Sequence, residues 1–415
     1  MYLDEYLEAL KNEISIDESF YSMWEERPDS FGFLPRPMVW IGANKNRKAL
    51  LNFLGRLLKS LWLGGGGILF FLFKFLKFLF LVSLASKKLN IVRGYSEYAI
   101  AFSARALDII VPPITSHRPT IWITFPWCKP KRIVGDVYCV TTILSVVDVF
   151  KVLVLAIRSV YGVNRLGYRE WVLQTYSAFE WFVARLAIRK LGGGSIIIAE
   201  HFDRWAVLAG FAAEQFKRLD LHQMKKSTTL TLVQHGILRS ASEGGSSKLA
   251  FRIPSQIRSV DCLYVYDQES ADIFINEVVQ AEEKPPKVII RPPQIKLVKL
   301  DEDKPRILFV GHSLCERFHL NLYLALKRCD VSAVFYYKPH PLIPCSDAIR
   351  YAGWKVIDGR TEFPAADLLI SYPSTLVTEY RICGVSSIVH GLNADENEVE
   401  TVVRDVVKAL VLVKH

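Results

Sequence analysis

From Arg47 to Trp62 the apolar residues Leu50, Leu51, Leu54, Leu57, Leu58 and Leu61 recur at helical spacing, with Arg47, Lys48, Arg56 and Lys59 between them. This pattern predicts a basic amphipathic helix. Four glycines follow, Gly64 to Gly67, and then Ile68 to Ala85, a run almost wholly of Leu, Phe and Val broken by Lys74, Lys77 and Ser83. Its length lies at the lower edge of a bilayer span of ~20 residues, and each lysine near its middle would cost about 2.5 kcal/mol or more there. Lying in an interface avoids that cost, because Lys74 and Lys77 are three apart and face the headgroups together while the phenylalanines enter the acyl boundary. The alternatives are a true span and a helical hairpin folded against the protein's own core.

Beyond Arg93 the pattern alternates short β-rich runs with helical stretches, which predicts parallel sheets covered by helices. The first set of strands is Tyr98 to Phe102, Thr120 to Phe125, Ser195 to Ala199, Thr228 to Gln234, Cys262 to Tyr266 and Val288 to Ile290, with helices at Val146 to Tyr161, Glu170 to Leu191 and Arg204 to Leu219. A charged, proline-bearing stretch, Ala281 to Arg306, reads as the connection to a second unit. There the strands are Ile307 to Val310, Ala333 to Tyr337, Trp354 to Ile357, Leu368 to Ser371 and Ser387 to Val389, with helices near Glu316 to Lys327, Ser374 to Cys383 and Glu396 to Leu412. The chain thus divides into an N-terminal extension (1–93), a first α/β domain (94–292) and a second (293–415).

Composition changes this picture in two places. A chain of 415 residues with 51% hydrophobic residues buries a sizeable core, which excludes a disordered protein. The net charge of +10 is concentrated: Lys45 to Arg93 holds ten basic residues and no acidic one, and the rest of the chain balances. Interleaving with long apolar runs favours an anionic membrane surface over nucleic acid as the partner of that block. The seven cysteines are odd in number and widely spaced, with no C-x-x-C pair and no histidine at metal-ligand spacing, and read as reduced thiols of a cytosolic protein. The acidic opening, Met-Tyr-Leu-Asp-Glu-Tyr, shows no cleaved export signal.

In open parallel sheets ligands gather at the carboxyl ends of the strands. After Val310 come Gly311, His312 and Ser313, where a glycine admits a phosphate and a helix N-terminus offers donors; any strand-to-helix turn favours the same residues. The next strand ends in Tyr337-Lys338-Pro339-His340-Pro341, a cation and an imidazole held between prolines, or an ordinary proline-rich turn. Ser371-Tyr372-Pro373-Ser374-Thr375 supplies three hydroxyls at a strand end, more than one helix cap needs, ahead of a helix with a Leu376, Tyr380 and Cys383 stripe that stops at Gly384. Glu379 accepts from ribose hydroxyls or is a helix-surface charge. In the first domain Glu200-His201-Phe202-Asp203 and Gln234-His235-Gly236 follow strands, the placement a general base requires, with His235 and Asp203 ahead of Glu200. No Asp-x-Asp motif ends a strand, so the expectation is leaving-group stabilisation by Lys338, His340 and helix dipoles, with no metal and no cofactor.

The run Tyr337-Lys338-Pro339-His340-Pro341 followed by Ser371-x-x-Ser374-Thr375-x-x-x-Glu379 resembles the HP and S-S/T motifs of bacterial GT-B sialyltransferases, polysialyltransferases and Kdo transferases. Gln234-His235-Gly236 resembles a motif of related capsule and teichoic-acid polymerases, including CDP-glycerol transferases. The resemblance covers about the last two hundred residues. It implies a GT-B fold, two Rossmann-like domains with a central cleft. It also implies nucleotide binding by His340, Pro341, Ser374 and Thr375, and a base among Asp203, Glu200 and His235. The sialyltransferase acidic motif ends in glycine, which Glu200 to Asp203 does not.

The expectation is an inverting, metal-independent transferase taking a nucleotide-sugar donor, a CMP-linked 2-keto acid sugar first, to a glycan or glycolipid acceptor in capsule or lipopolysaccharide synthesis. It would work peripherally on the cytoplasmic face of the inner membrane. The competing readings are a UDP-sugar or CDP-glycerol transferase, a sugar-nucleotide 2-epimerase, whose Asp-Ser-Gly-Gly element this chain replaces with Tyr372-Pro373-Ser374-Thr375, and a noncatalytic membrane scaffold.

Overall fold

The computed structural model describes residues 2–22, 48–110, 120–128, 135–165, 168–223, 228–236, 249, 252–292, 295–299, 303–340, 345–358, 362–392 and 394–413. Seven parallel strands build the first sheet: β1 (Glu97–Ala101), β2 (Thr120–Thr124), β3 (Val137–Cys139), β4 (Ser195–Ile198), β5 (Leu230–Val233), β6 (Cys262–Val265) and β7 (Lys287–Ile290). Their order is β3-β2-β1-β4-β5-β6-β7, so the chain works outward in one direction, returns, and continues in the other. The point of return lies between β1 and β4. β1 is buried along its whole length and β2, β4 and β5 along most of theirs, which is why these strands read as apolar runs without polar alternation. The three-residue β3 was not foreseen, because Val-Tyr-Cys is too short to stand out.

The second domain adds β8 (Leu297–Val298), β9 (Arg306–Val310), β10 (Val334–Lys338), β11 (Lys355–Val356), β12 (Phe363–Pro364), β13 (Leu368–Ser371) and β14 (Ser386–Val389). Five of these form a parallel sheet in the order β11-β10-β9-β13-β14, which repeats the turn-back of the first sheet between β9 and β13. The short strands β8 and β12 pair with each other. Arg306 and Asp367 fasten the amino end of the sheet, the guanidinium donating at 2.8 and 2.9 Å.

Two buried ion pairs tie the first helix, Tyr2–Ser22, to the first domain. Arg185 donates to Glu5 at 2.7 Å, and Arg204 Nε donates to Glu13 at 2.6 Å. Removing one partner of such a pair costs about 3–5 kcal/mol, because it strands a buried charge. Asn12 on the same helix donates to the carbonyls of Phe202 and Ser255 and accepts from the Ser255 amide at 2.7 Å. The helix therefore holds the loop that follows β4, where Glu200 and Asp203 stand.

The basic apolar segment forms helices Lys48–Leu61 and Gly67–Leu84, joined by a π turn, Trp62–Gly66, in which Gly65 takes φ 114°. Only glycine adopts that angle without strain. One stripe, Phe71, Phe75, Phe78 and Val82, is buried against the domain, where Phe75 meets Phe150 of helix Val146–Arg165 and Phe78 meets Phe179. The opposite stripe is bare: Leu69, Phe73, Leu76 and Phe80 are 69, 67, 61 and 64% exposed. Val147, Phe150 and Val154 on helix Val146–Arg165 are exposed as well.

The structure corrects the expected pairing of Lys74 with Lys77. Lys74 is half-buried, forms an ion pair with Glu180 and lies over the Phe70 ring, and Lys59 pairs with Glu170; Lys77 and Arg56 are exposed. The acids that neutralise this segment come from residues far along the chain. Arg47 lies outside the described residues, as does the side chain of Lys48.

Candidate functional site

In both sheets the strand-to-helix loops nearest the point of return carry the polar side chains that the sequence singles out. In the first domain the loop after β4 brings Glu200 and Asp203 together. Asp203 caps helix Arg204–Gln223, accepting from the amides of Trp205 and Ala206 at 2.9 and 3.0 Å. Burial raises its carboxyl above the usual range, opposed by a hydrogen bond with Glu200 and by those amides. Two carboxyls in hydrogen-bond contact share a proton and titrate as a pair. Across the point of return Ser103, just past β1, donates to Glu200 at 3.5 Å.

The loop after β5 is clamped by Gln234. Its amide oxygen accepts from Tyr266 N at 2.7 Å and its amide nitrogen donates to the Gly236 carbonyl at 2.8 Å. His235 then stacks on His201, ring centroids 3.8 Å apart, and its backbone N–H donates to His201 Nε2 at 2.6 Å. Accepting at Nε2 assigns His201 as the neutral tautomer with its proton on Nδ1. His201 was not among the candidate bases, although its position past β4 marks it in the same way as its neighbours.

In the second domain three rings meet at the carboxyl edge. His312 follows β9, His340 follows β10 and Tyr372 follows β13; His312 lies 5.6 Å from His340 and 5.4 Å from Tyr372 between centroids. His312 Nδ1 accepts from Leu314 N at 3.2 Å, which leaves the proton on Nε2 as a donor. Burial, aided by His340, lowers its pKa to about 4, so it is neutral at physiological pH. Ser374 is the N-cap residue of helix Thr375–Ile382, and its hydroxyl, 3.1 Å from Ser371 Oγ, makes no capping bond. Ser313 and Glu379 are half-buried beside these loops; Pro341 lies outside the described residues.

The two edges meet. A Cβ placed on Gly236 would stand 3.7 Å from His201 Cε1 and 3.8 Å from Thr375 Oγ1. The imidazole stack of the first domain therefore faces the helix N-terminus of the second across one layer of atoms.

The geometry gives three of the singled-out residues structural contacts and corrects the expected burial of a fourth. The Lys338 ammonium donates to the Glu362 carbonyl at 2.8 Å and lies over the Phe363 ring, which directs it to the loop before β12. Ser371 is fully buried and donates to the Tyr372 carbonyl, so it supports the loop while Ser374 and Thr375 remain the hydroxyls nearer the cleft. Gly311 is required by packing, since a Cβ there would overlap the ring and hydroxyl of Tyr337. Helix Thr375–Ile382 buries Val377 and Tyr380, while Cys383 is exposed; Gly384 does end it, at φ 83°.

Cys315 and His319 stand one helical turn apart, a spacing overlooked in the sequence, and meet His390. His390 Nδ1 is 2.7 Å from the Gly391 carbonyl, so that nitrogen carries the proton. His319 Nε2 lies 2.8 Å from His390 Nε2 and must be the donor, which leaves His319 Nδ1 to face Cys315 Sγ at 3.9 Å. One ligand atom from each of the three lies within 4.8 Å of the others, and the string of contacts uses their lone pairs. Burial lowers both histidines, as it does His312.

No protein-family model and no curated protein matches the chain. Among solved structures, the crystal structure of Acinetobacter baumannii MurG is similar at 13% identity and TM-score 0.32, over 74% of this chain and 82% of that one. A likeness of that degree carries no inference about what this chain does.

The three depressed histidines set a pH dependence. Folded, His312, His319 and His390 stay neutral below the 6.5 of a free imidazole, so their contribution is fully present above 6.5 and is lost as pH falls through their lowered pKa values, about 4 for His312. Between those limits the unfolded chain binds the extra protons. Thermal melts are expected to show a midpoint that drops as pH is lowered from 6.5 towards 4; a flat midpoint across that window would contradict the assignment.

Proposed function

We propose that this chain is a glycosyltransferase of the two-domain GT-B type, in which the second sheet holds a nucleotide-sugar donor and the first sheet holds a glycan or glycolipid acceptor. The observation that carries the reading is the meeting of the two carboxyl edges at Gly236 and Thr375. Each edge is the place where open parallel sheets bind ligands. One side offers a helix N-terminus, the Ser374 and Thr375 hydroxyls and the His312 and His340 rings. The other offers a carboxyl pair and an imidazole pair.

The chemistry then divides between the domains. The donor phosphate takes hydrogen bonds from the helix N-terminus and from His312 Nε2–H, which favour the charge that builds as the leaving group departs. Asp203 spends an oxygen on two backbone amides, and Glu200, once the shared proton has left the pair, is the member placed to take the acceptor hydroxyl's proton. The acceptor oxygen attacks the anomeric carbon from the face opposite the phosphate, the bond to the phosphate oxygen breaks, and the configuration inverts. His235, next to Gly236 at the same edge, contacts the donor.

A CMP-linked 2-keto acid sugar suits this site better than a UDP-sugar or CDP-glycerol. It brings one phosphate to the site where a UDP-sugar or CDP-glycerol brings two, and the second domain supplies dipoles, hydroxyls and the neutral His312 ring there while Lys338 is directed to Glu362.

The bare stripe of helix Gly67–Leu84, with the exposed face of helix Val146–Arg165 beside it, is the surface we assign to an anionic membrane, in an interfacial pose. Exposed apolar area on this scale marks a contact surface, and the adjacent exposed Arg56 and Lys77 match anionic headgroups. The opposite stripe is committed to the domain, which favours lying on the bilayer over crossing it. Seven unpaired cysteines fit the reducing, cytoplasmic side.

Two experiments test this reading. In a thermal-shift panel of CMP, CDP, UDP, UMP and GDP, CMP is expected to stabilise the protein, by ~2.7 kcal/mol at a hundred times its dissociation constant. His340→Ala should lose that shift yet melt normally without nucleotide, and the absence of any shift would remove the donor site. In vesicle flotation the wild type is expected to rise with phosphatidylglycerol vesicles, while the triple change Phe73→Ser, Leu76→Ser and Phe80→Ser stays behind. Equal flotation of the two would remove the membrane assignment.

A further inference from the structure

Phe102 and Phe125 directly follow β1 and β2, whose last residues, Ala101 and Thr124, are register partners. That register sets the two rings side by side at the carboxyl edge of the first sheet, 5.3 Å apart and 16° from parallel. A hydrogen bond from Cys128 N to the Phe125 carbonyl, 2.8 Å, closes a tight turn that folds Trp127 back onto Phe125 at 4.7 Å and 18°. Trp205, in the first turn of helix Arg204–Gln223, stacks on Phe102 at 4.9 Å and 15° and returns to Trp127 at 6.2 Å and 24°. The four rings make a closed, near-parallel array. Phe102 and Phe125 are its buried members, and Trp127 is 40% exposed.

Phe102 and Phe125 belong to the core of the first domain, yet the stacking differs from the rest of it. Among the described residues the other ring pairs are tilted or edge-on, as in Tyr6 with Trp181 and Phe309 with Trp354, apart from the His201–His235 stack, which lies on the same edge. Acids stand beside the array. Trp205 N donates to Asp203, Ser103 next to Phe102 donates to Glu200, and the charge of Glu200 acts on the Cys128 thiol, which places Glu200 near the Trp127 turn.

An exposed indole held by a rigid ring stack next to carboxyl oxygens recognises a ring with one face of C–H bonds and a rim of hydroxyls, which describes a pyranose. A nucleotide would stack equally well but would bring its phosphate against the carboxyl pair, like charge against like. An acyl chain has no hydroxyl to bring to the carboxyl oxygens. We propose that the Phe102, Phe125, Trp127 and Trp205 array is the acceptor platform, where the terminal pyranose of a glycan lies on Trp127 with a hydroxyl directed to Glu200. Its role as an acceptor site rests on the transferase reading above.

The test is saturation-transfer difference NMR on the full chain in a sugar-free detergent, with methyl β-glycosides of galactose, glucose and N-acetylglucosamine at millimolar concentration. At least one glycoside is expected to receive saturation on its ring C–H groups. Trp127→Ala should weaken that contact by about tenfold, the 1.4 kcal/mol scale of one lost stacking partner, and Trp127→Phe should restore most of it. The nucleotide thermal shift, which reports the other domain, should be unchanged in both variants and serves as the control for folding. No contact with any glycoside, or contact that Trp127→Ala leaves intact, overturns the platform. Loss of the nucleotide shift in a Trp127→Ala protein that still melts cooperatively overturns it in favour of a base-stacking site. Glycoside contact in a wild type that no nucleotide shifts keeps the pyranose site but overturns its role as an acceptor site.

Discussion

Parallel strands reach one another only by a crossover, so every strand in a sheet begins at one edge and ends at the other. In this chain that constraint acts twice. All seven strands of the first sheet and all five of the second deliver their outgoing loops to a single edge, and the two edges face each other near Gly236 and Thr375. Glu200, Asp203, His201 and His235 come from two loops of one sheet; His312, His340, Tyr372 and Ser374 come from three loops of the other. They are far apart in sequence and close in space because the topology gives them nowhere else to emerge.

The supports around this cleft are unevenly distributed. The loop of Glu200 and Asp203 is held from behind by the first helix, through Asn12 and through the Glu13–Arg204 pair at the start of the next helix. Buried pairs of this kind add little net stability but fix geometry, since leaving either charge alone is costly. The second domain holds its rings differently, by packing and by neutral histidines. Tyr337 presses against Gly311 beneath them, and the His319–His390 string lies alongside. Each arrangement spends hydrogen-bonding capacity to place a few groups that still face the cleft.

Much of the scaffold was legible in the sequence because buried parallel strands are short continuous apolar runs. Thr120 to Phe125 and Leu368 to Ser371 are found within a residue of where they were expected. What periodicity cannot reveal is the partner of a polar group. Lys59 and Lys74 looked like a membrane-facing charge because Glu170 and Glu180 are more than a hundred residues away in sequence. Lys338 looked like a phosphate ligand, yet its side chain turns to the loop carrying Glu362. Ser371 was read as a ligand on position alone, and its burial shows that one hydroxyl at that strand end serves the backbone. The aromatic array escaped notice because its members sit on separate elements, and only the register of β1 and β2 brings the first two together.

The central claim is that one ligand is shared by both edges. Amide hydrogen exchange on the full chain, with and without saturating CMP, tests it most directly. The account expects slower exchange in residues 312–316 and 371–379 of the second domain and, in the same complex, in residues 234–236 of the first. Protection confined to one domain, or no protection at all, would contradict a cleft built from the two.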